Sequence, residues 1–474
     1  MSTASPAGRA LTLPRVLLFS AAGMPVAAIA TAIAIYLPRH FASHVGISLA
    51  AVGGAFAIVR LLDISVDLLL GLAMDRTRTV LGRYRAWMLA GIPIVLLAVY
   101  MLFVDPAGVT MVTLIVWLLV LYLGMSTLQL AHAAWAATIA PSYHERSRLF
   151  GLMAALGIAG SLSVFLAPVA LEAAGRSDAE AVSTMGWMII FATPITVGLM
   201  AVSIPERIRP NLEARHFRLR DYWDLVSRPS MLRIIVADFC LSLGPGWLSA
   251  TVLFFLIDAR GFSLAQANIL LALSISAGFA GAPLVSRLAV RWSKHRALMV
   301  AAVGYAVTLC AIVVSPRGAM PQAIVVMFMM GFFNAAFSAL LRAMTADVSD
   351  ELRLEQGQER AGLLYAITTL TTKAAGAFSI FLTFTVLDRI GYDAKAGSLN
   401  DAAALRGLEI ASIAGPVGFV MLGAFCCLGY RLTAERHAEI KQALDAREAA
   451  YVEAPILQTM TAEVHAVEPG ASKP

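Results

Sequence analysis

Asp63 and Asp67 lie four residues apart in the apolar run RLLDISVDLLLGLAM, with Arg60 one turn earlier. In a helix these three side chains share one face. An aspartate at the centre of a membrane helix costs roughly 3 kcal/mol on insertion scales. Two of them, one turn apart, need a cation, a proton or a partner charge. Carboxylates offer hard oxygen ligands to sodium and also accept protons. The pair is therefore a candidate site for a monovalent cation, Na+ or H+. The static alternative is that both acids pair permanently with Arg60 and Lys373 and only hold helices together.

Lys373 stands in the run TTLTTKAAGAFSIFL, too far from either end to reach water easily. A buried ammonium calls for a carboxylate partner, and Asp63 and Asp67 are the candidates. Gln129, His132 and Trp135 punctuate LQLAHAAWAATIAP, where His132 and Trp135 share a face. A tryptophan face stacks on sugar rings or cations, although helix packing explains the same pattern. Asn334, Ser338 and Arg342 recur every four residues and form a polar stripe expected to face the interior. Arg342 and Asp347 lie near one end of that segment and could form a gate pair. The loop DRTRTVLGRYR carries Asp75, Arg76 and Arg83, either as a latch between helices or as charge that sets topology.

The elements that must position these residues are membrane helices. Of 474 residues, 59% are hydrophobic and 14% charged, against about 25% charged in a soluble domain. Twelve apolar segments can be counted, near 15–37, 48–71, 86–104, 110–139, 148–173, 184–204, 231–257, 264–290, 297–315, 321–346, 361–388 and 408–431. Loops alternate between arginine-rich (Arg76 to Arg85, Arg207 to Arg220, Arg291 to Arg296) and shorter or acidic (Asp105, Asp178, Asp258, Asp388). The positive-inside rule puts the basic set, and both termini, in the cytoplasm. The net charge of +6 is accounted for by these loops and gives no nucleic-acid signal. The first apolar run is longer than a signal-peptide core, so a retained first helix is expected. Cys240, Cys310, Cys426 and Cys427 read as small apolar residues, with no metal spacing or disulfide framework. No nucleophile–base set, Walker loop or dinucleotide fingerprint is present, so neither enzyme activity nor a cofactor is expected.

GISLA at Gly46–Ala50 resembles GFSLA at Gly261–Ala265, and RYRAWMLA at Arg83–Ala90 resembles KHRALMVA at Lys294–Ala301. The two offsets are nearly equal and keep each loop on the same membrane side. A parallel repeat of two six-helix bundles follows, the architecture of the major facilitator superfamily. The expected division is a bundle over 1–204, a basic cytoplasmic loop over 205–230, a second bundle over 231–432 and a solvated tail over 433–474.

At these residues the chain resembles the glycoside–pentoside–hexuronide:cation symporters, the melibiose permease family. The resemblance rests on RLLDISVDLLLGLAMDRTRTVLGRYRAWMLAG, HAAWAATIAPSYHERSRLFG, ADVSDELRLEQGQERAGLLYA and TTKAAGAF, spread over segments two to eleven. It implies that Asp63 and Asp67 bind the coupling cation, that Arg60 and Lys373 are their charge partners, and that Trp135 lies at the sugar site. The Asp75–Arg85 loop is similar to the latch loop of facilitators. Val66 replaces a family asparagine beside the second aspartate. The helix-four threonine that helps bind sodium falls near Leu128, with Thr127 adjacent. The acids that grip sugar hydroxyls fall around Pro25 to Ala27 and at Ala131, where none exists, and an arginine of helix five falls at Met153. The function expected is cation:solute symport by a monomeric, multi-pass protein of a bacterial inner membrane. Its solute would be a sugar or glycoside bound by Gln129, His132, Trp135, Asn334 and Ser338. A non-sugar solute, a lysolipid, or a transport-silent receptor on the same fold are the alternatives.

Overall fold

The computed structural model describes residues 12–43, 45–104, 110–139, 143–175, 180–204, 206, 226–356, 361–395, 400–430, 432–433 and 435–446. Most of the expected loop 205–230, the tail beyond 446 and the side chain of Asp75 lie outside the described residues. Among those described, no strand occurs.

The first apolar segment is broken into α1 (Leu13–Ala21), α2 (Met24–Ile35) and α3 (Leu37–Ser43). Gly23 lies between the first two, and Pro25 sits in the opening turn of α2. Proline lacks an N–H and is tolerated in the opening turn of a helix. Then come α4 (Leu49–Arg76), α5 (Tyr84–Val99, prolonged by a π turn over Tyr100–Val104), α6 (Met111–Ile139), α7 (Tyr143–Ala173) and α8 (Ala181–Ser203). The later part holds α9 (Pro229–Phe254, prolonged by a π turn over Phe255–Ala259), α10 (Leu264–Trp292), α11 (Lys294–Val314), α12 (Met320–Gln356), α13 (Ala361–Arg389) and α14 (Ala402–Cys426). A last helical stretch covers 435–446. Among the described residues, eleven helices are long and apolar enough to cross a membrane. The 28-residue α4, which carries Arg60, Asp63 and Asp67, is not one of the eleven.

The repeated pentapeptides have a common physical role. Gly46 and Gly261 both adopt left-handed backbone, with φ of 79° and 74°. Glycine takes that conformation without steric cost. Two residues on, Ser48 and Ser263 cap α4 and α10 by accepting hydrogen bonds from Ala51 N (3.4 Å) and Gln266 N (3.2 Å). Gln266 returns the bond to the Ser263 amide at 3.0 Å, completing a capping box. The same turn-and-cap signal therefore starts one helix in each half.

Helices α1 to α8 pack mainly on one another, as do α9 to α14; the main contacts between the two groups are α4 with α13, α7 with α10 and α2 with α9. Besides the Lys373 salt bridges to Asp63 and Asp67, polar contacts between the groups gather at one end. There the Tyr36 hydroxyl donates to Asn268 Oδ1, and Glu172 Oε2 accepts from Ala265 N at 3.2 Å. The Arg39 guanidinium stands 5.5 Å from the centre of the Phe254 ring.

α12 runs well past the apolar segment expected over 321–346. Its added turns carry Asp347, Glu351 and Glu355 at helical spacing, and partners satisfy them: Lys294 lies 2.5 Å from Asp347, Ser230 Oγ 3.4 Å from Glu351, and Arg228 2.5 Å from Glu355. The stretch over 435–446 is docked rather than solvated. Ile440 and Leu444 are buried, and His437 Nε2 lies 3.3 Å from Asp347 and 3.0 Å from Asp350.

Helices in lipid gain little from hydrophobicity on meeting each other, so close contact depends on small residues. A Cβ on Gly331 of α12 would overlap the Ser274 carbonyl of α10, whereas one on Gly71 of α4 meets nothing. Gly331→Leu is expected to lower the unfolding temperature of the detergent-solubilised protein or prevent its folding. Gly71→Ala should leave that temperature unchanged or raise it, since alanine favours helix by about 1 kcal/mol over glycine. Equal unfolding temperatures for the two variants would show that the α10–α12 contact is not sterically limited.

Candidate functional site

The charged cluster forms where α4 meets α13. The face of α4 bearing Val52, Phe56, Val59 and Asp63 is buried, which carries the Asp63 carboxylate inward. Lys373 of α13 reaches across and donates to Asp63 Oδ2 at 2.8 Å and to Asp67 Oδ2. Arg60 Nη1 lies 3.5 Å from Asp63 Oδ2, and its guanidinium sits 5.0 Å from the centre of the Tyr122 ring on α6. Asp63 is shut from solvent, with 1% of its side chain exposed, while Asp67 keeps 23%. Two carboxylates and two cations balance in formal charge, so any added cation must displace Lys373 or Arg60, or accompany a solute charge.

Neutral oxygen enters from a residue that sequence comparison did not single out. Ser126 Oγ of α6 donates to Asp63 Oδ1 at 2.8 Å. The neighbouring Thr127 instead donates to Leu123 O of its own helix at 2.7 Å. Ser65, next to Val66, is exposed. The second oxygen of Asp67, Oδ1, is buried without a hydrogen-bond partner among the described residues. One unmatched acceptor beside a displaceable ammonium is a receptive place for a small cation.

Two cavities adjoin this cluster. The smaller, about 200 Å³, lies between the helix groups and is lined by Arg60, Tyr122, Ser126, Gln129, Ser379 and Lys373. The larger, about 1150 Å³, is lined by Asp238 and Ser242 of α9, Asn334, Ser338, Arg342 and Thr345 of α12, Thr372 of α13, and Phe150 of α7. Gln129, Asn334 and Ser338 thus face cavities. Asp238 was absent from the sequence reading. It lies within an apolar run, is 7% exposed and accepts from Thr372 Oγ1 at 3.0 Å. An isolated aspartate in an apolar segment was the available signal. Thr372 and Lys373 are consecutive, so one turn of α13 touches both Asp238 and the α4 carboxylates.

His132 and Trp135 are not at either cavity. His132 Nε2 lies 2.9 Å from the Phe19 carbonyl, and Trp135 is fully buried with its ring edge-on to Phe19 at 5.6 Å. The reason is periodicity. Each step of three residues turns about 60° round the helix, so the Ser126–Gln129 face has rotated toward α1 by His132 and Trp135. The Arg342–Asp347 gate pair does not form for a related reason. Five residues place the two on different faces, and Asp347 pairs with Lys294 and His437 while Arg342 lines the large cavity. In the loop after α4, Arg83 Nε donates to Met74 O at 2.8 Å and Arg76 is exposed. The carboxylate that binds the start of α5 is Glu206, accepting from Tyr84 N at 2.9 Å and Arg85 N at 3.0 Å. No local pattern links Glu206 to that helix start.

A charge cluster inside apolar helices beside cavities defines a membrane transporter. Residues 18–434 match the family described as MFS/sugar transport protein, and the chain belongs to that family, the glycoside–pentoside–hexuronide branch of the major facilitator superfamily. It is 23% identical over 434 residues to the uncharacterized symporter YnaJ of Bacillus subtilis, spanning 88% of this chain and 91% of that protein. It is 22% identical to a glucuronide carrier protein homolog of Escherichia coli, spanning 87% and 91%. It is 23% identical to a lactose permease of Lactobacillus delbrueckii, spanning 82% of this chain and 64% of that one. The fold is shared with the nucleoside transporter NupG (TM-score 0.64, 11% identity, 88% of this chain and 99% of that one). It is also shared with a bacterial homolog of the human lysosomal transporter Spinster in an inward-facing, unoccupied conformation (TM-score 0.64, 13% identity, 90% and 97%). This is a multi-pass membrane transporter and not an enzyme.

Removing one partner of a buried ion pair costs about 3 kcal/mol or more, chiefly by stranding the other charge. Lys373→Met should therefore lower the unfolding temperature, and adding Asp67→Asn to it should restore part of the loss. Additive losses in the double variant would show that Lys373 and Asp67 do not interact.

Proposed function

We propose that the protein is a cation:solute symporter working by alternating access. The observation that carries this reading is the Lys373 bridge from one helix group to both carboxylates of the other. A sodium ion or proton arriving at Asp63 and Asp67 competes with that ammonium. The charge that joined α4 to α13 is then released, and the two groups can rock. Cation and solute favour the same closed state, so each raises the other's affinity. Such couplings typically amount to about 1–3 kcal/mol. The coupling ion is sodium or a proton. Ser126 and the unpartnered Asp67 oxygen supply ligands for the first, and the carboxylates serve either.

In this reading α4 is the twelfth span. At about 1.5 Å per residue it is about 42 Å long, enough for a hydrocarbon core of about 30 Å. The six spans before 204 and the six after 231 form two bundles, joined by the cytoplasmic loop over 205–230. Both termini are cytoplasmic, in a bacterial inner membrane, and the protein acts as a monomer. The end closed by Tyr36–Asn268 and Glu172 is external, and the large cavity is the inward-open vestibule.

The solute is a sugar or glycoside, in keeping with the named lactose and glucuronide relatives. The acids missing near Pro25 and at Ala131 are replaced by groups from the second half: Asp238, Arg342, Asn334 and Thr372. A hydrogen bond to a charged group contributes about 1.5–3 kcal/mol, so the solute binds mainly against α9, α12 and α13.

Reconstituted in liposomes with an imposed sodium or pH gradient, the wild type should accumulate lactose or a glucuronide. Asp63→Asn and Asp67→Asn should abolish gradient-driven accumulation while the protein remains folded. Undiminished accumulation in both variants would remove the carboxylates from coupling. Asp238→Asn should raise KM by about 10-fold or more, from the same hydrogen-bond magnitude, with the cation dependence retained. An unchanged KM would place the solute elsewhere.

A further inference from the structure

A third cavity lies apart from the vestibule, on the outside of the helix bundle between α10, α11 and α12. It holds about 600 Å³. Its walls are mostly apolar, with Leu284, Val300, Phe332 and Phe333 among them, and Arg287 and Arg291 also line it. Leu284 and Val300 are 54% and 43% exposed, so the trough opens outward to whatever surrounds the helices. In a membrane protein that surrounding is lipid.

Arg287 and Arg291 stand one turn apart on the same face of α10. Both are exposed. Among the described residues neither forms an ion pair or side-chain hydrogen bond, whereas the nearby Lys294 is held by Asp347. Trp292, next in the chain, is 53% exposed, and α10 ends there. Exposed tryptophan and arginine at a helix end mark the headgroup level of a bilayer. Two free guanidiniums at that level thus stand over an apolar trough that runs along the hydrocarbon.

We propose that this trough is a binding site for an anionic phospholipid. The lipid phosphate is held by the forked donors of Arg287 and Arg291, which match phosphate geometry. One acyl chain follows the wall made by Phe332 and Phe333. Basic pockets between membrane helices take anionic headgroups in this way. A soluble phosphate would satisfy the arginines but leave the apolar length uncovered, so the joint presence of both features selects a lipid. The bound lipid clamps α10 to α12 along the seam where Gly281 meets the Phe332 backbone. It thereby stiffens the helix that carries Asn334 and Arg342.

The test uses the purified full chain in detergent. Native mass spectrometry and thermal unfolding are measured with phosphatidylglycerol, with phosphatidylcholine of the same chains, and with glycerol 3-phosphate. One phosphatidylglycerol should be retained per chain and should raise the unfolding temperature, with no comparable effect from the other two. The double variant Arg287→Gln/Arg291→Gln should lose both effects. Val300→Trp, which leaves the arginines intact and fills the trough, should lose them too and keeps the test open if the first variant does not fold. The proposal is overturned by an equal response to phosphatidylcholine, by an equal response to glycerol 3-phosphate, or by full retention of phosphatidylglycerol in a folded variant.

Discussion

Buried charge must be balanced, and the arrangement around α4 follows from that constraint. Two carboxylates in an apolar segment are tolerated because Lys373 and Arg60 meet them, with Ser126 adding one neutral hydrogen bond. The balance is not made within one helix. Its main partner comes from α13, in the other group of helices, so electrostatic neutrality and the contact between the groups are the same interaction. A mobile cation that replaces the ammonium preserves the first and loosens the second. In the proposed mechanism that exchange is what links ion occupancy to movement.

The residues lining the large cavity are unevenly shared. Among the described residues the first half contributes the apolar Phe150, while the polar Asp238, Arg342, Asn334, Ser338 and Thr372 all come from the second. The charged cluster is the reverse, built mostly on α4 and α6 with one lysine from α13. Solute and ion would therefore sit on opposite halves and communicate at Thr372 and Lys373, which occupy adjacent positions on α13 and bond to Asp238 and to the α4 carboxylates. Besides the Lys373 bridge, polar contacts between the halves are made at the end held by Tyr36, Asn268 and Glu172. Such an arrangement lets one end stay shut while the other opens.

Duplicated local signals account for much of the architecture. A left-handed glycine followed by a serine cap begins both α4 and α10, and a basic turn precedes both α5 and α11. These signals act over a few residues, so they survive divergence of the side chains around them. What has diverged is the chemistry: α4 carries Asp63 and Asp67, while α10 carries instead Arg287 and Arg291.

Helical membrane character, the approximate spans, the repeat and the shared face of Arg60, Asp63 and Asp67 were legible in the chain alone. All of these depend on hydropathy and on a period of 3.6 residues, which are local properties. The choice of Ser126 over Thr127, the inward turn of His132 and Trp135, the separation of Arg342 from Asp347, and the capping of α5 by Glu206 were not. Each depends on how far a helix is rotated and which neighbour it meets. In lipid, where apolar faces are nearly interchangeable, those quantities are decided by close packing at small residues and by the pairing of distant charges. Lys373 and Asp63 are 310 positions apart. Only the tertiary structure makes them neighbours, because the low-dielectric interior leaves a buried ammonium no better place than beside two carboxylates.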